Sequence, residues 1–470
     1  MSSPFNEKKY KKLLEGQETS EVRFSDVSKD IFRIDSEPFQ KISKNNLDNF
    51  LKAKLSEIAS INPTKTEISH LDKNTQVSFI PMALLGRGTV NDTEEGTISD
   101  FIKSGYTYFS ENDVLVAKIT PCMEHGKCAI AQNLANGIGF GSTEYNVFRV
   151  EDKRILTEYL FVYLNRESVR KQAANHMVGT SGRQRVPTSF YENLLIPILD
   201  IKFQERIKQA VSTAHLKREQ SQNLYCQAEK LLLSTVDLKG VKLNLKSTDV
   251  KHFSESFLAT GRLDAEYYQP KYEDMEKLII SQNHSYIFKE FSLNENTIDR
   301  KFDEYNYVEI GDISVRNGAY SYNPIPTTEL PANAKIKSKK GDLLISKVRP
   351  NRGAISIIQD DMPNLVVSGA FTVLEEKADY KKEVLFVLLR TEQYREWMLK
   401  YNVCTSYPVI KDEDVLSLPI PLISKKIQQQ IANLIQESFT LRRESEQLLE
   451  EAKSLVEREI EKGSENNKNK

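Results

Sequence analysis

No stretch of about 18 or more consecutive apolar residues occurs, so the sequence offers no membrane-spanning helix. The opening run, MSSPFNEKKYKKLLEGQETSEVRF, lacks the apolar core of a secretory signal. Cysteine is scarce, four in 470 residues, too few for a disulfide framework, so a reducing, cytoplasmic compartment is expected. Catalytic motifs are missing too. An adenine methyltransferase needs an Asn/Asp-Pro-Pro-aromatic loop around the flipped base, yet no Pro-Pro dipeptide occurs. Asn62-Pro63 and Asn323-Pro324 are followed by Thr and Ile. A restriction nuclease often shows Pro-Asp before Asp/Glu-x-Lys; no Pro-Asp occurs, and Val116 and Ile345 stand where the second carboxylate would precede Lys118 and Lys347. No Gly-x4-Gly-Lys-Ser/Thr loop is present, which excludes a P-loop motor. Gly137 to Ser142 resembles a cofactor loop, but the strand-like Glu144 to Phe148 follows it instead of a helix, so it reads as a turn. Cys122, His125 and Cys128 supply only three close ligands and no second cluster. Neither a cofactor nor a metal is expected.

Excess charge of one sign is also lacking: 65 basic against 66 acidic residues leave a net charge of -1. That is compatible with nucleic-acid binding, because phosphate contacts need only a local basic surface.

What is present is a repeat. Arg33-Ile34-Asp35-Ser36-Glu37-Pro38-Phe39-Gln40 reappears as Arg262-Leu263-Asp264-Ala265-Glu266-Tyr267-Tyr268-Gln269, an offset of 229. Asn112 to Pro121 (NDVLVAKITP) returns at the same offset as Gly341 to Pro350 (GDLLISKVRP). Further along, Tyr159 to Leu164 matches Val384 to Leu389, Thr180-Ser181 matches Thr405-Ser406, Ile196-Pro197-Ile198 matches Leu418-Pro419-Ile420, and Gln227 to Leu231 matches Glu451 to Leu455. Order is kept and the offset drifts little, so the unit is a whole domain. Residues 114 to 120 and 343 to 348 read as strands after an Asx turn, and each half then shows helical spacing.

Each half ends in a long stretch free of Gly and Pro, from about Phe203 to Val236 and from about Lys426 to Ile460. As helices these project roughly 50 Å, more than a compact domain needs. Their apolar stripes include Ile207, Val211, Leu224 and Leu231, and Ile431, Leu434, Leu448 and Leu455. The other faces are charged, so each stripe needs a partner. Either the helices pair antiparallel or each folds onto its own domain; pairing is the expectation. The fold class expected is α+β, a tandem mixed α/β domain plus long helix.

Three segments resemble the specificity subunit of type I restriction-modification systems. They are the duplicated Asp-Val-Leu-Val-Ala-Lys-Ile-Thr-Pro, then Gly139-Phe140-Gly141-Ser142-Thr143-Glu144-Tyr145, then Gly179 to Pro187 (GTSGRQRVP). The apolar-Pro-apolar run before Gln204-Glu205-Arg206-Ile207 resembles it as well. The second half departs from the pattern at Thr405-Ser406-Tyr407-Pro408 and Ser368-Gly369-Ala370-Phe371. The resemblance implies a non-catalytic subunit with two target recognition domains reading a bipartite site in double-stranded DNA. It implies two methylation (M) subunits and, for cleavage, restriction (R) subunits as partners.

The expected division is 1–50 an N-terminal segment, 51–200 and 284–423 the recognition domains, 201–240 and 424–462 the long helices. Residues 241–283 form the linker and start of the second repeat, and 463–470 a polar tail. Candidate DNA contacts are Lys118, Lys127, Arg183, Gln184 and Arg185 in the first half, and Lys347, Arg349, Asn351 and Arg352 in the second. Arginine forks suit guanine and glutamine suits adenine, but both also grip phosphate. Two other functions remain open, a coiled-coil adaptor without nucleic acid and a recognition module of another phage-defence assembly.

On this reading the helices act as a ruler. Seven residues inserted near both Gln220 and Glu444 add about 10 Å and keep the stripe in phase. The preferred spacer should grow by about three base pairs at about 3.4 Å each. Selection from randomised DNA reads this directly; altered bases at a half-site with the old spacer intact would remove the two-reader architecture.

Overall fold

The computed structural model describes residues 47, 49–180, 182–236, 238, 248–403 and 406–465. The Arg33 to Gln40 copy of the first repeat, Ser181, Thr405, most of the 237–247 stretch and the end of the tail lie outside the described residues. Two units are distinguished: the described residues up to Lys217 together with those from Glu444 onward, and Arg218–Arg443.

The first unit carries β1 (Lys52–Lys54), β2 (Ala59–Ile61), β3 (Gln76–Ile80), β4 (Glu94–Thr97) and β5 (Thr107–Ser110). It continues with β6 (Val114–Ala117), β7 (Cys128–Ile130), β8 (Ile138–Gly141), β9 (Tyr145–Val150) and β10 (Leu195–Pro197). The second carries β11 (His284–Tyr286), β12 (Phe291–Leu293), β13 (Glu304–Val308), β14 (Asn323–Pro326) and β15 (Ala334–Lys337). There follow β16 (Leu343–Ser346), β17 (Ile355–Ile357), β18 (Leu365–Ser368), β19 (Phe371–Glu376) and β20 (Pro419–Pro421).

In the first unit the sheets run β2-β9-β6-β7 and β4-β3-β8-β5, with β1 pairing β10; in the second they run β12-β19-β16-β17 and β14-β13-β18-β15, with β11 pairing β20. Strand for strand the topology repeats, including the parallel neighbours β3–β8 and β13–β18. The class is α+β.

The repeated Asn/Gly-Asp before β6 and β16 has a backbone cause. Asn112 (φ 66°) and Gly341 (φ 96°) both take the left-handed conformation that these two residue types tolerate best. The buried aspartate after each closes the turn. Asp113 accepts the Ser110 N–H at 2.7 Å and the Arg149 guanidinium at 2.7–2.8 Å; Asp342 accepts the Lys339 N–H at 3.0 Å and the Ser338 hydroxyl at 2.9 Å.

Two expectations need correction. Ile138–Gly141 is strand β8 rather than a turn. Its glycines are there for close packing: a Cβ on Gly139 would stand 2.0 Å from the Phe109 ring, and one on Gly141 2.6 Å from the Ile80 carbonyl oxygen. The strands read as ending at residues 120 and 348 end at Ala117 and Ser346, which leaves Lys118 and Lys347 just beyond them.

The helical stretch after β9 is two helices, Thr157–Leu164 and Glu167–Asn175, and its counterpart is Lys382–Arg390 and Glu392–Met398. At both breaks sits a buried arginine. Arg166, 1% exposed, gives Nε and Nη2 to Glu457 at 3.0 and 3.1 Å. Arg390, 7% exposed, donates to the Tyr225 hydroxyl at 3.0 Å, the Gly353 carbonyl at 2.8 Å and the Val315 carbonyl at 3.0 Å.

The long helices span Ile201–Thr235 and Lys425–Glu465. Among the described residues, no helix is long and apolar enough to cross a membrane. Fully buried positions recur at seven-residue intervals: Ile207, Ala214, Ser221 and Ala228 on one helix, Ile431, Ser438, Ser445 and Ala452 on the other. In the first unit the Ser445 hydroxyl donates to the Ala214 carbonyl at 2.7 Å and Lys217 pairs with Glu444 at 2.6 Å. In the second, Ser221 and Ser438 donate to each other's carbonyls, both at 2.8 Å. Residue numbers rise on one helix as they fall on the other, so the helices run antiparallel in each unit.

The stripe also packs onto the globular part. Ile207, Val211 and Ala214 share a core with Leu449, Ala452, Tyr159 and Phe161, and Ala228, Leu232, Ile431 and Ile435 share one with Val384 and Phe386. Leu224, Leu231, Leu434, Leu448 and Leu455 are half-buried beside the seam.

Replacing Arg390 by Met strips donors from the buried Gly353 carbonyl, the Val315 carbonyl and the half-buried Tyr225 hydroxyl. A loss of about 3–5 kcal/mol is expected in urea unfolding. An unchanged midpoint would show that the arginine does not hold the helix break.

Candidate nucleic-acid interface

Beyond β6 the chain leaves the sheet at Lys118 and runs alongside the Val178–Val186 segment. The Val186 N–H donates to the Lys118 carbonyl at 2.9 Å, and the Thr120 N–H to the Gln184 carbonyl at 3.0 Å. Ile119 pairs with Arg185 as a single antiparallel rung, and Val178 and Arg185 exchange backbone hydrogen bonds at 3.0 and 2.9 Å. Left-handed Gly179 (φ 126°) and Gly182 (φ 75°) shape this hairpin-like brace. Lys118, Arg183, Gln184 and Arg185 are thereby gathered at one sheet end.

The second unit builds the same brace beyond β16. The Ile410 N–H donates to the Lys347 carbonyl at 3.0 Å, the Arg349 N–H to the Pro408 carbonyl at 2.7 Å, and Val348 pairs with Val409. Lys347, Arg349, Asn351 and Arg352 therefore occupy the equivalent place. Arg183-Gln184-Arg185 corresponds to Tyr407-Pro408-Val409, so the same rungs are made by different tips, although the Val409 N–H donates to the Asn402 side-chain oxygen at 3.0 Å where the Arg185 N–H donates to the Val178 carbonyl.

The side chains differ in how free they are. Arg183, Arg349, Asn351 and Arg352 are exposed. The Arg349 guanidinium lies 5.7 Å from the centre of the exposed Tyr407 ring. Arg185 is held by Glu144, with Nε at 2.8 Å and Nη2 at 2.7 Å from its carboxylate. The hydrogen bonds from Arg185, with the charges of Arg185 and Lys118, hold the Glu144 carboxyl below the usual carboxylate range. Lys347 pairs with Asp412 at 2.9 Å, and Asp412 also accepts the Thr372 hydroxyl at 2.6 Å.

Lys127 is half-buried and its ammonium donates to the Met82 carbonyl at 2.9 Å. The acids Glu144 and Asp412 were not legible as site residues, because their roles depend on contacts made across the fold.

Against known proteins, no family model matches the chain. It is 40% identical over 155 residues to the specificity subunit of the type I restriction enzyme EcoAI from Escherichia coli, covering 33% of this chain and 26% of that one. It is 23% identical over 332 residues to the specificity subunit of the type I restriction enzyme MjaVIII from Methanocaldococcus jannaschii, covering 67% and 72%. Each of these matches is to a type I specificity subunit, which is what this chain is similar to. The match spans about a quarter of the EcoAI subunit's length. Among solved structures, the type I S subunit from M. genitalium is similar over 88% of this chain and 94% of that one, at 15% identity and a TM-score of 0.36.

Cys128 lies in β7 with its thiol buried and its pKa pushed up to about 12 by loss of solvent. Among the described residues no group of three or more His, Cys, Asp or Glu side chains is placed to hold a metal ion.

A Cβ on Gly179 would stand 3.0 Å from the Arg183 carbonyl oxygen and 3.3 Å from the Gln184 Cα, at a φ that disfavours any side chain. Gly179→Ala should add about 1–3 kcal/mol of strain to the brace. The Val178 and Arg185 amides should then exchange about tenfold faster or more; unaltered protection would show that the brace does not need the glycine.

Proposed function

We propose that this chain is the DNA-recognition subunit of a type I restriction-modification complex. Each globular domain reads one half of a split target in double-stranded DNA. Methylation and restriction subunits supply the chemistry in the cytoplasm, and this chain carries no catalytic site or cofactor of its own. The observation that carries the proposal is the duplicated brace. One backbone device, repeated in its main rungs, carries basic residues on different strands in its two copies: Arg183 to Arg185 in the first, Lys347 to Arg352 in the second. A scaffold that fixes position while its tips vary suits two readers of different sequences. An adaptor lacking nucleic acid would have no use for exposed arginines at both braces. The near-zero net charge is compatible with the same role, since phosphate contacts need only a local basic surface.

The test is the double variant Arg183→Ala/Arg185→Ala, assembled with methylation subunits and offered randomised duplexes at two salt concentrations. One half-site should lose discrimination and the other should stay readable. A lost base contact costs about 1–3 kcal/mol at one position, while a lost phosphate contact weakens all sequences and lowers the salt slope by about one. Unchanged affinity and preference would reduce the loop to ordinary surface, and absence of any sequence preference in the unaltered complex would favour the adaptor.

A further inference from the structure

The two braces differ in a paired way. At the rung where the first unit has Arg185, the second has Val409. The backbone carbonyl that receives the Lys118 N–H belongs to Glu144; the one that receives the Lys347 N–H belongs to Ala370. Thus an Arg/Glu pair in one copy is a Val/Ala pair in the other, with the brace intact. The ion pair is dispensable to the scaffold, so it serves something peculiar to the first domain.

Its geometry indicates what. Arg185 has five N–H bonds. Nε and Nη2 engage the Glu144 carboxylate side-on, at 2.8 and 2.7 Å, and Nη1 donates to the Arg183 carbonyl at 3.1 Å. One N–H on each terminal nitrogen remains uncommitted, and the planar group is fixed on two sides. Resting on the recognition function proposed above, we infer that Glu144 is a positioning residue that makes Arg185 a base-reading fork rather than a phosphate clamp. The partner chemistry is a base edge with two adjacent acceptors, as guanine offers in the major groove through O6 and N7.

The electrostatics point the same way. A guanidinium neutralised by a carboxylate gains little from a phosphate, whose charge the carboxylate repels. A neutral base edge with fixed acceptors pays no such penalty. Glu144 therefore weakens sequence-independent attraction through Arg185 while fixing the fork's direction.

The experiment uses the full chain assembled with methylation subunits, comparing Glu144→Gln, Glu144→Asp and Glu144→Ala/Arg185→Val. The last installs the pair with which the second domain already builds its brace. Glu144→Gln keeps the shape and removes the charge. It should tighten binding to non-target duplex and steepen the log–log salt slope by about 0.9, as one more phosphate is engaged. Preference for a G·C pair at one position of one half-site should fall about tenfold. Glu144→Asp should recover part of that preference, and Glu144→Ala/Arg185→Val should lose it without steepening the slope. If Glu144→Gln leaves slope and preference unchanged while the complex still discriminates both half-sites, Glu144 is only a surface ion-pair partner and the inference falls. If the unaltered complex shows no preference at all, it is the recognition function that fails.

Discussion

Close approach of two helices is the constraint on which the rest depends. Ala214 against Ser445 in one unit, and Ser221 against Ser438 in the other, leave no room for a large side chain at the seam. The serine hydroxyls turn that crowding into hydrogen bonds to main-chain carbonyls, so no buried polar group at these positions is orphaned. Leucine in their place would push the helices apart, and the cores would lose what the helices bring them. Each core is built jointly, Ile207 and Val211 with Ala452 and Val456 in the first unit, Ala228 and Leu232 with Ile431 and Ile435 in the second. A domain here is completed by the helix segment of the other repeat. The buried arginines at the helix breaks have the same logic, since Arg166 reaches Glu457 and Arg390 reaches Tyr225, each on the distant repeat's helix.

Much of this was legible in the sequence, for physical reasons. The repeat could be found because strand cores and turns tolerate few residue types: an apolar run after Asn-Asp or Gly-Asp marks β6 and β16. The long helices announced themselves by freedom from Gly and Pro, to within a few residues of their ends. The middle of the seam did not, because a search for apolar residues passes over Ser221, Ser438 and Ser445 and stops at Leu224 and Leu448 beside it. The glycines of β8 misled for a related reason. They look like a turn, but Gly139 and Gly141 are small because Phe109 and Ile80 crowd them from neighbouring strands, and such crowding leaves no local signature.

The basic candidates divide along the same line. Arg183, Arg349, Asn351 and Arg352 stand exposed, as loop placement between Gly and Pro suggests. Lys127 is half-buried with its ammonium held at the Met82 carbonyl, and Lys347 is matched to Asp412. Whether a cation is free depends on partners far away in sequence, so basic residues can be counted from sequence but available charge cannot.

That difference between counted and available charge bears on selectivity. A surface of free lysines and arginines gains affinity for every duplex alike, since counterion release does not distinguish sequences. A sequence reader has to keep that common term small compared with the base-dependent one. In this chain two cations at the braces are already matched, Arg185 to Glu144 and Lys347 to Asp412, while Arg183, Arg349 and Arg352 stand exposed. Under the proposed function, the overall charge of -1 is not an obstacle to DNA reading but part of how it is made selective. On that proposal the acids lower the non-specific background, and the scaffold holds the remaining donors in fixed directions.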